Sequence, residues 1–581
     1  MKMFFLVFSA AAVYAAALYS IRNPLQADEN LSIKETINER KLSFNGCSPN
    51  LRFINFQDSL NTIPILDGWG SHRMRITSAS DSAELFFQQG INMYYGFHII
   101  EALASFEKAL RLEPDFAMAH WGKALAYGPN INDIGYAASP EALEAVRQAK
   151  HLSEKISQEE KALIDAITVR YSPDASKSRE KLNRDYAEAM KRAWEKFPDN
   201  SDIAALYADA LMIEHPWDLY DKEYEPKTWT PPIVAVLEKL VKQFPEHPGA
   251  MHYYIHAVEG STNPHKALKV ADKLGTMMPG LSHLVHMPSH IYIRSGYYDK
   301  GVQSNERAVR AFRVQKEKYP VVANGAFLYE THNLHMQATC ANMDARFEEA
   351  MRLSNLTQAS VDASWFGAGG YFSMYGQFLY MTPYFTLIRF GRWDELLRSD
   401  NVADSLVYAY KIWQYGQGLA HARKGNINAA KAALKNLTAP SASDQLSEHP
   451  PTFNEGMMAI LVASELLNGV IAEEEGRIEE AINSFQKAVD IEDGMFYNEP
   501  KDWPHPARHY LGNALLKNNR LMEAERVYKK DLQQNPNNPW ALTGLHAVYK
   551  ALKNKRLEAD FARKAQTALE RSDVNLEGSV F

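Results

Sequence analysis

Cysteine is nearly missing: two residues in 581, Cys47 and Cys340, so no disulfide framework holds this chain together. Basic clusters are missing as well. A net charge of −7 and a pI near 6.3 leave no Lys/Arg block to displace phosphate counterions, which argues against nucleic acid as a partner. No phosphate-cradling glycine loop, dinucleotide fingerprint, HExxH or GxSxG elbow occurs, so nucleotide chemistry and the common zinc-peptidase and serine-hydrolase routes lack support. Long apolar runs are confined to the start. Lys2 precedes an uncharged run over residues 3–19 and a polar exit, the pattern of an export signal, with Ala27 a candidate cleavage point. The run sits at the short end of what spans a bilayer, so an uncleaved N-terminal anchor is the rival reading. Either way the chain is expected outside the cytoplasm, periplasmic or secreted, with membrane attachment through the N-terminus alone.

What the chain does have is 46% apolar and 11% aromatic content, enough for a large core, and histidine concentrated in one stretch. Nine of its 19 histidines lie between 247 and 335. Three strings carry them: HYYIHAVE (252–259), HLVHMPSH (283–290) and HNLH (332–335). At 3.6 residues per turn, His252, His256 and Glu259 share one helix face, as do His283, His286 and His290. Imidazoles so spaced suit Zn or Cu first and Fe next, whereas the lack of a clear Cys or multi-carboxylate set disfavours Fe–S clusters, Ca and Mg.

Residues 28–80 show no sustained period and read as an irregular lead-in; from Asp81 the pattern is helical. Gly90, Ala102, Phe106, Ala109 and Pro114 fall at the spacing of a 34-residue helix-turn-helix repeat, and residues 81–116 resemble a tetratricopeptide repeat. The same frame fits Ala267, Ala271, Leu274 and Pro279, then Gly296, Tyr298, Gly301 and Ala308, then Ala345, Phe347 and Ala350. It recurs at Gly476, Ala481, Phe485 and Ala488, and at Leu511, Gly512, Ala524, Tyr528 and Pro536. Together with the strings HYYIHAVEGS, HLVHMPSHIYIRSGYY, HNLH, FYNEPKDW and LGNALL, the chain resembles a group of long bacterial tetratricopeptide-repeat proteins of unassigned activity. The resemblance implies an all-α solenoid of about eight to ten helix pairs over 81–570, with loop insertions, His-rich central repeats at 247–350 and a tail at 571–581.

In such repeats, positions 2, 5, 9 and 12 of the first helix line the concave groove. By that implication His252, His256, His283, His286, His290, His332 and His335 point into one groove, and imidazoles converging there from adjacent helices make them candidate metal ligands. Glu259 joins them as general base, ligand, an acceptor that fixes the orientation of an imidazole, or plain solvated carboxylate. Pro288 would interrupt a first helix and is expected to kink or restart it. Cys340, near His332 and His335, is a small buried residue or a further ligand, and pairing with Cys47 is a third option. The stretch 492–506 is too long and aromatic for a plain turn and is expected to fold over an end of the groove. Two functions follow: a metalloprotein, acting as an enzyme on a small molecule, or a scaffold whose groove holds a peptide or partner helix while the histidines serve as polar contacts.

Overall fold

The computed structural model describes residues 62–132, 140–174, 176–324, 328–367, 370–440, 445–448 and 453–581. The export or anchor segment (1–27) and Cys47 lie outside them. Helices follow one another from Asp81 to Ala568, and the only extended pairing among the described residues is a single bridge between Tyr220 and Pro226. The fold is an all-α, TPR-like solenoid.

Small residues set the helix spacing. The Asp81–Tyr95 helix, N-capped by the Ser80 side chain, packs against Ile99–Leu112, whose Phe106 ring lies between Gly90 and Gly122. A Cβ at either glycine would come within 2.7 Å of that ring. The arrangement repeats near the C-terminus, where Tyr528 of the Leu521–Gln534 helix lies between Gly512 and Gly544, and Phe485 lies against Gly469. The Gly456–Glu474 helix is long and apolar enough to cross a membrane, yet it packs within the solenoid against Ile478–Asp493.

The histidine strings occupy the first helices of consecutive hairpins. Pro248–Glu259 is capped by the His247 ring, which accepts the Ala250 amide. Pro288, lacking an N–H, divides the next first helix into Ser282–His286 and Pro288–Arg294. Met287 between them keeps helical dihedrals, so the chain kinks instead of leaving the helix. His283 and His286 therefore precede the kink and His290 follows it. Tyr298–Lys318 completes that hairpin, and Leu328–Met343 carries His332 and His335.

The groove is not open at the level of these helices. The last repeats return against the central ones: Arg294 donates to the Gln534 carbonyl, the Tyr298 hydroxyl to the Pro536 carbonyl, and the Trp540 indole to the Asn342 carbonyl. From the other end, residues 63–80 run without helix along the first hairpin. There Gln88 and Gln89 take up the backbone of Pro64, Leu66 and Met74. Residues 571–581 are packed as well, with Arg571 forked on Asp344, Asp573 capping the amides of Phe347 and Glu348, and Ser579 fully buried.

Candidate metal centre

Six of the seven histidines form two triads. In the first, His252 Nε2 is 3.1 Å from both His256 Nε2 and His283 Nε2. The other ring nitrogens decide the protonation. His252 Nδ1 faces the Tyr95 carbonyl at 2.6 Å, and His256 Nδ1 faces Glu259 Oε1 at 2.8 Å; both oxygens can only accept. Each Nδ1 therefore carries the proton, and the two Nε2 atoms meet lone pair to lone pair.

The second triad repeats this logic. His286 Nε2 stands 2.6 Å from His290 Nε2 and 3.1 Å from His332 Nε2. His286 Nδ1 donates to Asn305 Oδ1, whose amide is oriented by its own bond to the Gly301 carbonyl. His290 Nδ1 meets two carboxylates, Glu259 Oε2 and, at 2.5 Å, Glu499 Oε2. Again two unprotonated nitrogens face each other. Glu259 thus holds one imidazole of each triad, and the His256 and His290 ring centroids are 5.9 Å apart.

Two bare nitrogens at such distances repel unless a cation lies between them. A proton is a poor choice here. Burial pushes His256 and His332 down to about 3 and holds His252, His283 and His286 well below the ordinary imidazole value, neighbouring histidines adding to the effect. A transition metal suits the arrangement. Two nitrogens about 2.0–2.1 Å from one tetrahedral ion sit roughly 3.3 Å apart, near the 3.1 Å contacts, whereas the 2.6 Å His286–His290 contact must open to admit an ion. The acceptors on Nδ1 of His252, His256, His286 and His290 are the usual orienting partners of metal-binding histidines.

All seven expected ligands, placed by the sequence frame on the lining of a concave groove, are buried, between 0 and 5% exposed. Three segments cover them. Phe97, held at φ +55° with its carbonyl tied to the Tyr329 hydroxyl, stacks on His256 and His283. Trp217, from the loop after the Ser201–Glu214 helix, stands edge-on to His256 at 5.5 Å. Residues 494–506 bring in Tyr497 and Glu499; the Tyr497 hydroxyl donates to Glu499 at 2.9 Å and reaches Glu259 at 3.5 Å. Asn454 pins that loop through both the amide and the carbonyl of Phe496.

His335 joins neither triad; its ring lies edge-on to Phe378, 5.1 Å away. Cys340 packs its sulfur against Gly301, and burial pushes its thiol up. Of the two further candidate groups among the described residues, His256–Glu259–His290 is the carboxylate shared between the triads, and His72–Asp202–His247 has another explanation: His247 Nδ1 accepts from the Ala250 amide, so Nε2 carries the proton and donates to Asp202. His509 is likewise spoken for, between Arg389 and Asp531. Sequence reasoning missed Tyr95, Asn305, Phe97, Tyr497 and Glu499. Only the last two left a trace, in the aromatic FYNEPKDW string.

Among known families, the tetratricopeptide repeat model matches residues 469–494. That match identifies one tetratricopeptide repeat within this chain. No curated protein matches the sequence. Solved structures of similar build include a human IFIT1 dimer with m7Gppp-AAAA, at 12% identity and TM-score 0.30, covering 85% of this chain and 91% of that one. Yeast Tom70 aligns at 12% identity and TM-score 0.28 over 84% and 93%, and the P58(IPK) TPR domain at 12% and 0.21 over 85% and 99%. Superpositions at these scores say nothing about ligands or chemistry. The matched segment joins the last turn and a half of the Gly456–Glu474 helix to Ile478–Asp493, immediately before the loop that covers the histidines.

Proposed function

We propose that this TPR-like solenoid is a metalloprotein with two adjacent transition-metal centres, His252–His256–His283 and His286–His290–His332, each three imidazoles and one ion. The observation that supports it is the pair of Nε2–Nε2 contacts, 3.1 and 2.6 Å, between rings whose protons are committed to Tyr95, Glu259 and Asn305. An all-imidazole set favours Zn or Cu, then Fe. Glu259, a candidate general base, has both oxygens engaged by imidazole, which favours the orienting role. Bound ions would supply Lewis acidity or, as Cu or Fe, redox chemistry toward a small molecule. Burial of the rings and the chain's own loop over them count against a peptide lying on the histidines. The N-terminal pattern supports export, which cell fractionation and N-terminal sequencing of the mature protein would test.

The decisive measurement is elemental analysis of the untagged protein, repeated for His252→Ala and His290→Ala. About two ions per chain are expected, one fewer in each variant. No metal in any of them after reloading with Zn and Cu would leave a scaffold whose histidines are polar packing.

A further inference from the structure

The two triads differ in what stands behind their ligands. Behind the first are a neutral carbonyl, Tyr95, and one share of Glu259, while His283 Nδ1 is buried with no partner. Behind the second are Asn305, the other share of Glu259, and a full second carboxylate, Glu499, delivered by the loop 494–506. His290 is thus an imidazole with two buried acids on one nitrogen. A single N–H cannot satisfy both, and Glu499 Oε1 is itself buried without a partner. Two buried anions side by side are costly unless positive charge is held close by, and carboxylates behind an imidazole raise its basicity as a ligand.

Resting on the two-centre reading above, we propose that Glu499 is a positioning residue that makes the centres unequal: His286–His290–His332 binds its ion more tightly and fills first, and His252–His256–His283 fills second. The loop is built for this. Asn454 holds the Phe496 backbone on both sides and also binds Asp502, Asn498 spans Pro500 and Asp502, and the Tyr497 hydroxyl fixes Glu499 against Glu259. Glu499 therefore arrives already oriented.

The test is a titration of the chelator-stripped, untagged full chain with Co²⁺, followed by visible absorption and by ion count after gel filtration. The wild type should take two ions in two phases. Glu499→Gln, which keeps the shape and removes the charge, should weaken the tighter phase by about 10–100-fold and leave the other in place. His252→Ala should abolish the weaker phase only. Glu499→Asp, with unchanged far-UV circular dichroism, should recover part of the affinity and of the spectrum. Two phases unchanged by Glu499→Gln, or both weakened alike, would overturn the inference while leaving the centres standing. A wild type that takes no ion would overturn both.

Discussion

At the scale of single residues, the centre depends on where a few protons sit. Glu259 accepts from His256 and His290 together, through separate oxygens. In Glu259→Gln one of those oxygens becomes an NH₂ that can only donate. Facing His256, that NH₂ forces the ring to turn its Nδ1 into an acceptor and place its proton on Nε2, where a metal would bind; facing His290, it leaves Glu499 to take the Nδ1 proton alone, and either way the charge behind both triads is lost. Overall ion affinity should fall about 10–100-fold, measured by competition with a chromogenic chelator, with the fold retained. Burial itself gives a second prediction. His335 is pushed down to about 3 in the folded chain by burial alone, against about 6.5 when unfolded. Between those values the unfolded chain binds a proton that the folded chain refuses. The stability this neutral ring contributes is therefore present above pH 6.5 and is lost as pH falls toward 3, at about 1.4 kcal/mol per pH unit. Urea midpoints of the metal-free protein should drop from pH 7.5 to pH 5, less steeply in His335→Gln. A flat profile would contradict the burial of neutral rings.

At the scale of helices and loops, the repeats are held by rings seated on glycines. At Gly512 a Cβ would lie 2.5 Å from Tyr528 Cζ, and the Gly544 side of the same ring is no looser. Gly512→Ala should cost about 1–3 kcal/mol in urea unfolding, and Gly512→Ala with Tyr528→Leu should recover part of it. This periodic layer was legible in the sequence because small and aromatic residues recur at fixed spacing. So were the faces carrying His252, His256 and Glu259, since i, i+4 and i+7 turn the same way on any helix. The kink was legible in Pro288. What could not be read was set by tertiary contact. Tyr95 contributes a backbone carbonyl that any residue would provide. Glu499 approaches from a loop far along the chain, and His335, one turn beyond His332, finds Phe378 instead of its neighbours. The closure that buries the groove depends on bonds such as Arg294 to the Gln534 carbonyl, for which helical periodicity leaves no mark.

At the scale of the whole molecule, the metal reading predicts a mechanical consequence. Each triad and its supports gather segments that are distant in sequence: the turn after Asp81–Tyr95, three consecutive hairpins, and the loop 494–506. With ions bound, these parts share a linkage. Stripped of ions, the bare nitrogens repel one another and two buried carboxylates lose their counter-charge, so the covering loop becomes the cheapest part to open. An ion at 1,000 times its dissociation constant should add about 4 kcal/mol to the folded state. Limited proteolysis reads this locally. Chelated protein should be cut first within 494–506, between the Ile478–Asp493 and Ala507–Lys517 helices, and reloading with Zn²⁺ should protect that loop while leaving cleavage elsewhere unchanged. The C-terminal segment provides the control. Removing 571–581 deletes the Arg571–Asp344 fork and the Asp573 cap on Phe347, so it should lower stability with and without metal alike. If chelation and truncation changed the cleavage pattern in the same way, the ions would be acting on general stability and not on the closure of this loop over the histidines.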